Sequence, residues 1–258
     1  MSATKTAADP RNRAGNLYVY GVTWAGRGSA RGQGVGDTRV GLLEHGELAA
    51  IVSPVGRGPL RAKRRDLLRH SDVLQHAFAH APVLPLRFGT VLGSDDAVVD
   101  DLLAARHEEL VSLLQRFERT SELRLRANFV ERAVLAEIVQ EDKQVARLRE
   151  AMRTASDADP RRIQLGEAVA GALNAMRAAA ADEIVASLAQ HAIDMRIEEP
   201  HDALEVVRAS FLVENRKVRG LERAAEALAA RHQRRITFDL VGPMPPHSFV
   251  SLTPQQRG

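Results

Sequence analysis

Cysteine is absent from the 258 residues, which excludes disulfides, zinc–thiolate sites and cysteine nucleophiles. An excess of one charge is missing too: 36 Lys and Arg stand against 33 Asp and Glu, a net +3. That balance gives no bulk attraction to nucleic acid or membrane. No uncharged run reaches the roughly 18 residues that a membrane-spanning helix needs. Even the alanine-rich segment 168–192 is interrupted by Arg177, Asp182, Glu183 and Gln190. Residues 1–15 carry Lys5, Arg11 and Arg13 without an apolar stretch, so they read as a disordered tail and not as a signal peptide. A cytoplasmic address fits these absences.

What is present is ordinary for a protein with a core, at 45% hydrophobic and 27% charged residues. Leu17–Trp24 is rich in β-branched and aromatic residues and predicts a strand. A glycine-rich loop over 26–36 follows. Two short strands at 39–44 and 48–52 are then expected around the turn His45-Gly46-Glu47. From Leu60 to His80, Leu60, Leu67, Leu68, Val73, Leu74, Ala77 and Phe78 recur at helical spacing, and Pro82 ends the run. Residues 83–92 read as one strand buried on both faces, with Pro85 marking an edge or kink. Ser94 caps a helix continuing to Phe117, and 123–130 alternates as a half-exposed strand. Helices are expected over 132–152, 163–188 and 217–232, a turn over 155–160, and strands over 193–197, 207–213 and 235–241.

The candidates for chemistry are weak. Gly32-Gln33-Gly34-Val35-Gly36 precedes a hairpin and not the helix N-terminus that a phosphate cradle needs. His76 and His80 are four apart on a helix, but no third ligand accompanies them, and a solvated helix edge is the better reading. The basic cluster Arg61, Lys63, Arg64, Arg65 and Arg69 has no interleaved aromatic residue and is interrupted by Asp66. No serine lies in a nucleophile-elbow sequence. Arg87, between Leu86 and Phe88, is expected either in a structural ion pair or as a docking contact. No catalytic residue, metal ligand or cofactor site is expected.

Two segments carry more information. One is Val83-Leu84-Pro85-Leu86-Arg87-Phe88-Gly89-Thr90-Val91-Leu92; the other is Val241-Gly242-Pro243-Met244-Pro245-Pro246-His247-Ser248-Phe249-Val250. With Tyr20-Gly21, Arg162–Glu167 and Phe211–Glu214 in order between and before them, the chain resembles the gas vesicle protein F/L family from Leu17 to Leu252. It departs at His247, where the family often has an aromatic, and at Asp159-Pro160-Arg161, where tyrosines are usual.

The resemblance implies an α+β fold: a modified ferredoxin-like domain over 16–130, then a C-terminal α+β domain over 131–258 with long helices and a C-terminal strap. It also implies a non-enzymatic assembly or minor structural role at the gas vesicle. The implied partners are the small hydrophobic shell protein and other gas vesicle accessory proteins. Candidate docking or structural residues are Pro85, Leu86, Arg87, Phe88, Gly89, Gly242, Pro243, Pro245, Pro246 and Phe249. The prolines predict an extended run over 242–250, with Phe249 as an apolar anchor. The alternative reading is a small-molecule-binding protein or enzyme on a ferredoxin-like scaffold, since that fold hosts many functions.

Overall fold

The computed structural model describes residues 15–56, 63–153 and 159–252. The expected tail up to residue 14, Leu60 and Arg61, and the expected turn over 155–158 lie outside the described residues. The chain divides into two compact units, one running to Glu122 and resuming at Pro243, the other spanning Leu123–Gly242. From sequence, the division was expected at 130/131 with the C-terminal segment in the second half.

In the first unit, β1 (Leu17–Trp24), β2 (Gly41–His45), β3 (Leu48–Pro54) and β4 (Val83–Pro85) form a sheet in the order β2-β3-β1-β4, and β5 (Val91–Leu92) also pairs with β1. All these pairings are antiparallel. Every residue of β1 is buried, so both its faces are covered, and helices α1 (Arg64–Phe78) and α3 (His107–Phe117) pack against it. This explains why its sequence is a continuous apolar run. A Cβ on Gly21 would lie 2.6 Å from the Leu84 carbonyl oxygen, so glycine is what lets β4 close on β1.

The expected strand 83–92 is instead two short strands around a turn. Pro85 closes β4 on the sheet edge, consistent with its missing N–H, and Gly89 sits at φ 91. The helix expected from Ser94 is also interrupted. Ser94 caps α2 (Asp95–Val98) by accepting from the Ala97 N–H at 3.1 Å; one π-helical turn (Val99–Ala104) then leads toward α3.

The second unit carries a sheet in the order β7-β8-β6-β9, built from β6 (Thr120–Phe129), β7 (Asp194–Glu198), β8 (Glu205–Glu214) and β9 (Ile236–Met244). Alternate residues of β6 (Leu123, Leu125, Ala127, Phe129) and β8 (Val207, Ala209, Phe211, Val213) enter its core. They meet Val134 and Ile138 of α4 (Glu131–Glu141), Leu173, Ala180, Ile184 and Leu188 of α6 (Arg161–Ala189), and Leu221, Ala225 and Leu228 of α7 (Val218–Arg231). The single helix expected over 132–152 breaks at Asp142, which leaves helical geometry at ψ 106. Its carboxylate accepts from the N–H groups of Gln144 (2.8 Å) and Val145 (3.1 Å), and so caps α5 (Lys143–Ala151).

Candidate functional site

The two signature segments, 158 residues apart from Pro85 to Pro243, meet on α1 within the first unit. The helix buries Asp66, His70, Val73, Leu74 and Ala77. Spacings of four, three and four place Asp66, His70, Val73 and Ala77 on one stripe. Two of the inward positions are therefore polar, and each has partners. Asp66 accepts from the Gly36 N–H at 3.3 Å, which draws the glycine loop onto the helix.

His70 organises the turn that follows β4. Its Nδ1 lies 2.8 Å from the Tyr18 hydroxyl, which accepts from the Gly89 N–H at 3.0 Å. The Leu86 backbone forms a further hydrogen bond to the imidazole. The tyrosine proton thus points to Nδ1, and the ring proton on Nε2 goes to the Leu86 carbonyl. Rings pack around this relay: Tyr20 stacks on His70 at 5.6 Å, and Phe88 meets Tyr18 and His70 edge-on at 5.9 and 5.7 Å. Burial disfavours the imidazolium, the nearby His247 disfavours it further, and the Leu86 hydrogen bond opposes both; the His70 pKa is lowered to about 4. Burial likewise pushes the Tyr18 and Tyr20 phenols up.

The C-terminal strap reaches the same helix. The Pro243 carbonyl accepts from Gln75 Nε2 at 2.9 Å, and four residues later His247 is close enough to His70 to bias its charge. Beyond it, the buried Glu122 carboxylate accepts from the Ser248 N–H at 2.7 Å and the Ser248 hydroxyl at 2.8 Å. Extended backbone ends at Met244. The His247 N–H then bonds the Pro245 carbonyl (2.8 Å) and the Phe249 N–H the Pro246 carbonyl (3.1 Å), so 245–249 turns where an extended run was expected.

The expected site residues thus separate into two kinds. Pro85, Leu86, Pro245 and Pro246 are buried; Phe88 and Phe249 are half-buried. Arg87, Gly89, Gly242 and Pro243 are exposed, and Gly242 holds φ 142. Arg87 is therefore in a solvent-facing turn and not inside a buried strand. Leu67 and Leu68, read from sequence as core positions, are 45% and 55% exposed. Leu68 lies two helical turns from Gln75 on the same face of α1. The sequence reading gave no role to Tyr18, His70, Gln75 or Glu122, and held Ser248 only as a member of the terminal segment. Of the first four, His70 left a signal, its place in register with Asp66, Val73 and Ala77.

Residues 16–251 match the family model described as gas vesicle synthesis protein GvpL/GvpF. The chain belongs to the GvpL/GvpF family. A gas vesicle protein F from a Streptomyces species is 35% identical over 241 residues, covering 91% of this chain and 99% of that protein. The crystal structure of GvpF from Anabaena aligns with a TM-score of 0.80 at 20% identity, over 93% of this chain and 100% of that one. GvpF from Microcystis aeruginosa aligns at 0.74 with 18% identity, over 92% and 99%. These likenesses establish the mixed α+β fold, and membership of the GvpL/GvpF family supports a role in gas vesicle formation.

The histidines considered from sequence have local partners. His76 Nε2 lies 3.3 Å from the Ser29 hydroxyl, and His80 Nδ1 lies 2.9 Å from the His76 carbonyl. Among the described residues, no group of three or more His, Asp or Glu side chains converges as a metal site would, and no helix is long and apolar enough to cross a membrane.

Proposed function

We propose that this GvpL/GvpF family member acts in gas vesicle assembly without catalysis, by holding the hydrophobic shell protein on the first unit, where α1, the 86–90 turn and the C-terminal strap meet. The observation behind this reading is that both signature segments converge on α1, whose solvent face exposes Leu67 and Leu68. A shell subunit with a gas-facing apolar surface aggregates unless that surface is covered. Two exposed leucines on α1 offer it apolar contact, half-buried Phe88 and Phe249 add more on the 86–90 turn and the strap, and exposed Arg87 offers a charged one. The backbone beneath is fixed by the Tyr18–His70 relay and the Glu122–Ser248 clamp, so little ordering entropy is lost on binding. Other accessory proteins of the vesicle are further partners, and the complex forms in the cytoplasm.

The test is co-expression with a shell protein, followed by capture on a tag carried by this chain. Leu67→Ser with Leu68→Ser alters exposed side chains and leaves the fold intact. Capture of wild type, with retention lowered about tenfold or more in the double variant at unchanged thermal stability, is the expected result. Equal capture by the two proteins removes the α1 surface from the account.

A further inference from the structure

Of the eight large hydrophobic residues exposed among the described residues, three fall within five consecutive positions of the second unit: Ile193 (54%), Met195 (36%) and Ile197 (57%). They belong to β7 and the residue before it. β7 ends the β7-β8-β6-β9 sheet, and no described strand pairs with its outer side. Met195 and Ile197 are register partners of Phe211 and Ala209, so they stand on the sheet face that carries the core. Asp194 and Arg196 stand on the other face. An uncovered edge strand with an apolar strip is a template for another strand.

The sequence of the strip identifies that strand. Ile193-Asp194-Met195-Arg196-Ile197 complements itself when read backwards. Antiparallel pairing about Met195 sets Ile193 opposite Ile197 of a second copy, Asp194 opposite its Arg196, and Met195 opposite its Met195. All apolar side chains then meet apolar ones on one face, and both acids meet bases on the other. Centring on Arg196 instead sets Arg196 against Arg196 and Asp194 against Glu198, which is repulsive. A slip of one residue puts isoleucine against charge. Within one chain the Asp194 carboxylate takes the Met195 N–H at 2.8 Å and lies 3.9 Å from Arg196. Pairing replaces these contacts within one chain by the Asp194–Arg196 contacts between the two copies.

We infer that two copies of this chain associate through β7, antiparallel about Met195, joining their second-unit sheets into one of eight strands. The interaction is independent of shell-protein capture, which the account above places on the first unit. One strand and three apolar side chains per copy make a small interface, so the dimer is weak, with a dissociation constant on the order of 10 µM. Such a contact gains most where many copies are concentrated together.

Sedimentation of the full chain over a range of concentrations tests this with a charge-swap cycle. Asp194→Arg places arginine opposite arginine twice, and Arg196→Asp places aspartate opposite aspartate twice. Each should weaken the dimer about tenfold. The double variant restores opposite charges in the same register and should return to within about threefold of wild type. Circular dichroism confirms that all four proteins are folded. Wild type that stays monomeric up to about 100 µM overturns the proposal. So does a dimer that neither single substitution weakens, or one that both weaken and the double variant does not restore.

Discussion

Tyr18 Oη sits 2.8 Å from His70 Nδ1 and takes the Gly89 N–H at 3.0 Å, so one hydroxyl links β1, α1 and the turn after β4. This buried relay holds the most specific internal segment of the chain in place. It also gives the first unit a pH dependence with a definite sign. The folded pKa of His70, about 4, is below the ordinary value of 6.5. Between these values the unfolded chain binds a proton that the folded chain refuses. The contribution to stability is therefore complete above pH 6.5 and is lost as pH falls toward 4.

Between pH 7 and pH 5 the loss from His70 is about 2 kcal/mol. Trp24, the single tryptophan, is buried in the first unit, so its fluorescence reports that unit in urea titrations. His70→Gln, which does not titrate in this range, should show a pH dependence smaller by that amount. The same pH dependence in variant and wild type would show that His70 is not the group responsible.

The glycine loop is expected to be least tolerant at Gly34, where the approach is shortest. A Cβ on Gly34 would fall 1.9 Å from the Tyr20 hydroxyl and 2.9 Å from Val40 Cγ2. That hydroxyl already takes the Val35 N–H at 2.7 Å and pairs with Ser53 at 2.9 Å. Gly34→Ala should destabilise the first unit by about 1–3 kcal/mol. Gly41→Ala, with nothing within 4 Å of its Cβ, should stay within about 0.5 kcal/mol. Chemical denaturation that finds the two variants equal would contradict the packing described.

Phe88 has become a smaller determinant than its sequence suggests. A fully buried phenylalanine costs about 3–5 kcal/mol when cut to alanine. Phe88 is half-buried and rests on Tyr18 and His70 by its edge, so about 1–2 kcal/mol is expected for Phe88→Ala. A loss above about 3 kcal/mol in the Trp24-monitored transition would return it to the core.

These cases show what the sequence made legible. Hydrophobic pattern alone locates β1, β8, α6 and α7, because each buries an uninterrupted face. It misplaces Leu67 and Leu68, because α1 turns Asp66 and His70 inward, and hydrogen bonds from other segments satisfy them there. The break at Asp142 is a capping event inside a continuous helical pattern, which periodicity cannot register. The two signature segments are recognisable as sequences. Their meeting on one helix depends on Gln75, Glu122 and Ser248, whose partners lie more than a hundred residues away.

The strap should stabilise the first unit. Ser248→Ala removes the hydroxyl that donates to the buried Glu122 carboxylate and should cost about 1–2 kcal/mol. Ending the chain at Gly242 removes the Pro243 and Ser248 contacts together and should cost more. In both, the Trp24-reported midpoint should fall while hydrogen-exchange protection of α6 and β8 stays as in wild type. Lost protection in α6 and β8 with an unchanged Trp24 midpoint would assign the strap to the second unit.

The most direct measurement for the proposed role is hydrogen exchange on this chain, free and in complex with the shell protein. Capture through the α1 surface predicts slower exchange over 64–78, 86–90 and 243–250, and exchange unchanged across α6 and β8. A complex in which those three segments exchange as they do in the free chain, with protection elsewhere, would contradict it.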